Sequence, residues 1–143
     1  MPTHLETVTA IYEAFGRGDV ATILTHLADP IAWDVWADNS VHAAHVPWLA
    51  PRTDRAGVGE FFAIVGQFQI RQFDVLSLVA SGNQVVAEIV IDATVPGGAR
   101  YRDEELHLWE FGESGQVVRF RHYVDTAKHI AAAARAAAAT QGA

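Results

Sequence analysis

The chain has 143 residues, half of them hydrophobic, no cysteine and a formal net charge of −7. This length suits one domain with a substantial core, and the lack of cysteine excludes disulfides, thiolate catalysis and zinc–thiolate sites. The acidic balance and the absence of basic runs argue against nucleic acid or an anionic membrane as a partner. No stretch approaches the ~18–20 apolar residues of a membrane span, and the N-terminus does not resemble a signal peptide, so we expect a cytoplasmic protein.

Two helices and a strand open the chain. Apolar residues at i, i+3 and i+4 spacing predict a helix over residues 5–15. A glycine-rich turn follows, and Asp19 is placed to cap a second helix over residues 20–27. Residues 31–36 then alternate in a way that predicts a strand.

A long irregular stretch over residues 37–55 contains two prolines, His42, His45 and Trp48. Loops of this length in a compact domain are usually lids, binding loops or dimer arms. We therefore expect His45 and Trp48 at the mouth of a pocket, and no bound metal. A third helix over residues 56–66 follows.

Strands dominate the remainder of the chain. Alternating residues predict strands over 68–80 and 85–95, and a hairpin over 102–125 with a turn at the two glycines of FGESG. Helices gathered first and an antiparallel sheet later predict an α+β domain with helices on one sheet face. The tail is alanine-rich, and we expect it to form at least one helical turn and to fray beyond about residue 135.

The hairpin holds the leading candidate site. If Phe111 pairs with Gln116, Glu105 lies opposite His122 and His107 lies opposite Phe120. Because side chains alternate between faces, one face carries a largely apolar set with a carboxylate and two imidazoles: Glu105, His107, Trp109, Val118, Phe120, His122 and Val124. Polar groups on an apolar face are costly unless they are paired or used, so the pair His122 and Glu105 suits acid–base chemistry or a buried structural contact.

A second group of acids lies on the strand over residues 85–95. Glu88 and Asp92 share a face with Val90. If this face is the pocket wall, Glu88 is a second acid near the histidines. If it is the outer face, Glu88 is a solvent or dimer-interface residue.

Two segments resemble a known family: YEAFGRGDVATILTHLADPIAWDV near the start and DEELHLWEFGESGQVVRFRHYVDTA near the end. Both are similar to SnoaL-like and ketosteroid-isomerase-like proteins of the nuclear transport factor 2-like superfamily. The likeness covers about residues 5–128, the core of one domain over residues 1–143 with an alanine-rich tail at 129–143. It implies a cone, in which a curved mixed sheet wraps three helices from the N-terminal half around a deep apolar pocket. It also implies a homodimer paired through the outer sheet face, and no cofactor.

The catalytic residues of characterised relatives are not preserved. The ketosteroid isomerase tyrosine corresponds to Ile11, with Tyr12 one step away, and its two acids correspond to Val35 and His107. The limonene epoxide hydrolase residues correspond to five positions of different chemistry: Trp33, Val35, Glu88, Val90 and His122.

Two functions of different class follow from these residues. The first is a cofactor-independent enzyme acting on a small hydrophobic carbonyl- or epoxide-bearing molecule, by isomerisation, cyclisation or water addition. In it, His122 is the general base or acid, oriented by Glu105, while His107 and Glu88 stabilise the oxyanion. The second is a non-catalytic protein that binds a hydrophobic metabolite. In both, the pocket wall is formed by the same set: Trp33, Val35, Val90, Asp92, Trp109, Phe120 and Val124, with His45 and Trp48. A third alternative is a pure assembly or interaction domain, which an internal cavity below ligand size would favour.

Overall fold

A computed structural model describes residues 2–141 of the chain. Its elements follow in the order α1 (His4–Gly16), α2 (Val20–Thr25), β1 (Leu27–Asp34), α3 (Ser40–Ala43), a 3₁₀ turn (Pro47–Leu49), α4 (Arg55–Val65), β2 (Gln69–Ser81), β3 (Gln84–Thr94), β4 (Arg100–Phe111), β5 (Val117–Tyr123) and α5 (Thr126–Gln141).

The early helices begin at side-chain caps. Asp19 accepts a hydrogen bond from the Thr22 N–H at 3.1 Å, which confirms its predicted role at the start of α2. Asp54 does the same at α4, accepting from the Gly57 N–H at 2.7 Å. Each cap satisfies one of the free N–H groups of a helix's first turn. The helices bury apolar stripes against the sheet: Val8, Ile11, Ala14, Ile23 and Val58.

The five strands form one mixed sheet in the order β1-β5-β4-β3-β2. β1 runs parallel to β5, and the other neighbours are antiparallel. The curved sheet packs its inner face against α1, α2 and α4. The α+β class and the cone predicted from the sequence are confirmed.

Strand β1 begins earlier than predicted, at Leu27 rather than residue 31, and ends at Asp34. Pro30 was expected to lie outside the strand. It is tolerated because β1 is an edge strand, and its pairing with β5 is irregular between Leu27 and Ala32.

The free edge of β1 is covered by the last part of the long loop. The Trp33 N–H donates to the Arg52 carbonyl at 3.0 Å, and the Arg52 N–H donates back to the Trp33 carbonyl at 2.9 Å. The loop itself is not structureless, since it contains α3 and the 3₁₀ turn.

The register predicted for the β4–β5 hairpin is wrong by two residues. Phe111 pairs with Val117, and a bulge at Val118 shifts the pairing once more, so that His107 lies opposite His122. A shift of two preserves side-chain parity, so the two imidazoles still share the inner face. Val118 does not share the inner face, because it lies in the bulge. Val117 is the fully buried residue instead.

Helix α5 extends to Gln141, past residue 135, beyond which we expected the tail to fray. It is anchored by His129 and Ala132, which are 2% and 3% exposed. Gly97 also contacts the helix closely: a Cβ on this residue would lie 2.9 Å from the Ala136 Cα. Residues 142 and 143 of the predicted tail lie outside the described residues. None of the described helices is long and apolar enough to cross a membrane.

Candidate active site in the cone

A small hollow lies between the inner sheet face and helices α1 and α4. Its volume is about 80 Å³, below the ~300–1,000 Å³ typical of ligand pockets. Aromatic rings form most of its wall: Phe15, Trp33, Trp48, Phe61, Phe62, Phe68, Phe73, Tyr101, Trp109 and Phe120. Four further side chains bring polar atoms to it: Tyr12, Glu105, His107 and His122.

Three of these polar groups form a hydrogen-bonded chain. The Tyr12 hydroxyl lies 2.7 Å from His107 Nδ1, and His107 Nε2 lies 3.2 Å from Glu105 Oε1. The Trp109 indole N–H donates to the Tyr12 oxygen at 3.0 Å. The Trp109 indole N–H can only donate, and the Glu105 carboxylate can only accept. The Tyr12 O–H therefore donates to His107 Nδ1, and the His107 Nε2–H donates to Glu105. Burial raises the pKa of Tyr12, so its hydroxyl stays protonated.

His122 has a different environment. It is 7% exposed and lines the hollow, yet within residues 2–141 no hydrogen bond joins either of its ring nitrogens to another group. Its neighbours are rings, with Phe120 at 4.4 Å and His107 at 5.7 Å between centroids. Burial, reinforced by the positive charge His107 would carry if protonated, lowers the pKa of His122 to about 3. The imidazole is therefore neutral at physiological pH and retains both a donor and an acceptor for a ligand.

A buried ion cluster lies behind this chain. His129 Nε2 is 2.8 Å from Asp103 Oδ2 and 3.2 Å from Glu105 Oε2, so Glu105 bridges His107 and His129. Burial acts to raise the pKa of Glu105, but the hydrogen bonds from the two histidines outweigh it and hold that pKa below its usual range. Glu105 is therefore an ionised acceptor for both rings.

The opposite side of His129 contacts the long loop. The Trp48 indole N–H donates to His129 Nδ1 at 2.9 Å. Burial disfavours the charged imidazole, yet its bonds to Asp103 and Glu105 raise the pKa of His129 to about 9. The Trp48 N–H opposes this rise, because it needs an unprotonated Nδ1. We regard the carboxylates as the stronger influence, since they bear full charges.

The same three residues are the described group that could hold a metal ion. Ligand atoms of Asp103, Glu105 and His129 all lie within 4.8 Å of one another. Direct hydrogen bonds already join them, and all three residues are buried. The contacts are those of a closed ion cluster that ties α5 to β4.

Most of the residues predicted for the site border the hollow: Glu105, His107, His122, Trp33, Trp109, Phe120, Val124 and Trp48. One predicted contact is wrong. Glu105 does not orient His122, because the two-residue register shift brings His107 opposite His122 and leaves Glu105 bonded to His107 and His129.

Five predicted residues lie elsewhere. On β3, Ala87, Ile89 and Ile91 face inward, so Glu88, Val90 and Asp92 point to the outer face. Glu88 is exposed, and the predicted place of this acid on the pocket wall is therefore wrong.

Asp92 instead forms a two-point ion pair with Arg100, at 2.9 and 2.7 Å, which lowers the pKa of its carboxyl group. Val35 is buried in the core outside the hollow, and His45 is exposed with a positive φ of 54°. The pocket roles predicted for Asp92, Val35 and His45 are therefore wrong in this structure.

Three residues of the site were missed from the sequence. Tyr12 was excluded because the resemblance matched the tyrosine position to Ile11. Asp103 lies two residues before Glu105 and therefore on the same face of the strand, and this spacing could have identified it. His129 carried no signal, because nothing in an alanine-rich tail indicated that it would return to the sheet.

Comparisons with known proteins agree on fold and family. A family model described as the SnoaL-like domain matches residues 8–120. No curated protein matches the chain.

Several solved structures share the fold. An NTF2-like protein of unknown function from Burkholderia pseudomallei is 24% identical over 92% of this chain and 98% of its own, with a TM-score of 0.76. TerC, co-crystallised with polyporic acid, is 18% identical over 92% of this chain and 98% of its own, with a TM-score of 0.74. A Xanthomonas campestris protein whose name proposes a polyketide cyclase is 23% identical over 91% and 96%, with a TM-score of 0.68. At these identities the likeness establishes the fold alone.

Proposed function

The chain belongs to the SnoaL-like family, and on that premise we propose that it is a cofactor-independent acid–base enzyme for a small hydrophobic carbonyl- or epoxide-bearing molecule. One observation carries the proposal: an unpartnered, neutral His122 faces an aromatic hollow beside the Tyr12–His107–Glu105 chain. His122 keeps a donor and an acceptor for a ligand oxygen or acidic C–H, and the Trp33 indole N–H on the same hollow is a buried donor without a partner within the described chain. The relatives named for polyketide cyclisation, and TerC with its polyporic acid, support a small-molecule ligand.

The residues take distinct roles in this proposal. For an isomerisation, a His122 ring nitrogen accepts a proton from the carbon next to a carbonyl, and the C–H electron pair moves onto the oxygen. On substrate binding the Tyr12 hydroxyl, which stays protonated, turns its single O–H from His107 Nδ1 to that oxyanion, while the Trp109 indole N–H holds the Tyr12 oxygen in place. His122 then returns its proton to the product carbon. Proton transfer of this kind contributes roughly 10²–10⁴-fold in rate.

Proton exchange in D₂O tests the chemistry without knowledge of the natural substrate. We expect the protein to accelerate loss of the α-protons of cyclohexanone or acetophenone, followed by NMR. His122→Ala should lower this rate by roughly 10²–10⁴-fold, and Glu105→Gln should lower it less. The matched control is His26→Ala, because His26 is half-buried and lies outside the hollow. Full kcat in both His122→Ala and Glu105→Gln would rule out the assignment.

A binding protein for a hydrophobic metabolite is the second candidate. Two observations support this alternative: both ring nitrogens of His107 already have partners, and the hollow is small. Under this alternative, ketones bind without α-proton exchange, and the same two variants lose affinity only.

We also propose a homodimer paired through the outer sheet face. Apolar side chains remain exposed there: Trp36, Val79, Leu106 and Tyr123. Light scattering after gel filtration should give twice the chain mass for the wild type and the chain mass for Leu106→Glu. A monomeric wild type would contradict this.

The acidic chain suits a small-molecule partner in the cytoplasm rather than nucleic acid or a membrane surface. Cell fractionation checks the location. Recovery of the native protein with membranes would contradict it.

A further inference from the structure

A second and larger cavity adjoins the hollow. It is a cleft of about 680 Å³ between α1, the end of α4 and the inner face of β2. The cleft and the hollow share one wall, formed by Tyr12, Phe15, Ile23, Phe62, Val65, Phe68 and Phe73. Two of the rings in this wall are in contact, with the Phe15 and Phe73 ring centroids 4.9 Å apart.

Strand β2 lines this cleft with an apolar row that no helix fully covers. The row is Ile70, Phe73, Val75 and Leu78, and all four pair with inward-facing residues of β3. Their β3 partners are buried, whereas Val75 is 36% exposed and the other three are only partly buried. An apolar row inside a cone is stabilised when an apolar group covers it, at roughly 25 cal/mol per Å².

The charge at the cleft's rim restricts what that apolar group can be. Glu13 lies exposed at the rim, and the other polar side chains that line the cleft, Thr9 and Tyr12, are uncharged. A carboxylate there disfavours an anionic ligand end, such as that of a fatty acid. An uncharged tail meets no such penalty.

We propose that the ligand is an elongated, uncharged molecule with an oxygen-bearing head in the hollow beside His122 and an apolar tail along β2 in the cleft. This rests on the proposed function and names its substrate class. The hollow alone is too small for a typical ligand, whereas hollow and cleft together fall within the usual ~300–1,000 Å³. The ligand passes where Phe15 and Phe73 now touch, so these rings must part on binding.

A series of 1-phenylalkanones, from acetophenone to octanophenone, tests the inference by calorimetry. In the wild type, affinity should rise about fourfold for each added methylene that the cleft buries. Val75→Asp should abolish this dependence on chain length, with acetophenone as the shortest member of the series. The matched control is Ser77→Asp, an exposed position on the opposite face of the same strand, and it should keep the wild-type dependence.

The outcomes separate the two proposals. If acetophenone binds but chain length has no effect, or if Val75→Asp keeps the effect, the two-part site is wrong while the proposed function stands. If Val75→Asp changes the oligomeric mass instead of the chain-length dependence, the cleft is an interface between copies, and the inference is overturned. If no ketone binds, the proposed function falls, and the two-part site falls with it.

Discussion

Two buried histidines in this protein have opposite environments. His129 is 2% exposed and bonded to Asp103, Glu105 and Trp48, while His122 is 7% exposed and has no hydrogen bond within the described chain. Their pKa values move in opposite directions, to about 9 and about 3. The comparison separates two uses of a buried imidazole: with charged partners it fixes structure, and without partners it keeps its hydrogen-bonding capacity for a ligand.

The largest effect is expected at the ion cluster. His129→Ala leaves two carboxylates buried without their partner, which should lower the free energy of unfolding by about 3–5 kcal/mol. Urea unfolding measures it. Trp48→Phe removes one indole N–H that only the neutral His129 ring can accept, so it should cost about 1 kcal/mol above pH ~9 and less below it. A loss below about 1 kcal/mol in His129→Ala would show that the cluster does not hold α5.

The pH dependence of stability should separate the two histidines next. The pKa of His129 rises from an unfolded value of ~6.5, so its stabilisation is complete below pH ~6.5 and is lost as pH rises through about 9. The pKa of His122 falls, so the protein loses stability as pH drops from ~6.5 towards about 3. For His129 the change is on the order of 2–3 kcal/mol.

His129→Gln should remove the loss of stability at high pH and keep the loss at low pH. His122→Leu should remove the loss at low pH and keep the loss at high pH. Urea unfolding at several pH values checks both. Identical profiles in the two variants would contradict the assignment of either histidine.

A smaller effect on stability than that of His129→Ala, and one of opposite sign, is expected at His122 itself. Replacing an unpartnered buried imidazole by Leu removes a desolvation cost, so the protein should become about 1–2 kcal/mol more stable. Ketone binding or proton exchange should be lost at the same time. A destabilisation of similar size would instead mean that His122 has a structural partner.

The alternation of side chains along each strand determined how much of this site could be predicted from the sequence. His107 and His122 were placed on one face correctly, because the error in register was an even number of residues. Glu88 was misplaced because β3 is apolar on both faces, with Val90 and Ile91 side by side, so alternation could not identify its inner side. Parity therefore placed the two histidines on the correct face, failed on β3 and did not give the pairwise contacts.

Helix phase and long-range contacts explain the remaining errors. Tyr12 was missed because the resemblance matched the tyrosine position to its neighbour, Ile11. One step along a helix turns a side chain by about 100°, so an error of one residue assigns the wrong side chain to the pocket. His129 contacts a residue 26 positions away, and no local pattern specifies that distance.

An NMR titration of the histidine side chains tests the central claim most directly. We expect the His122 ring to stay neutral from pH 8 down to about 4, and its signals to shift when butyrophenone is added, while those of His129 do not. A His122 ring that titrates near 6.5, or that does not respond to the ketone while the protein binds it, would contradict the account.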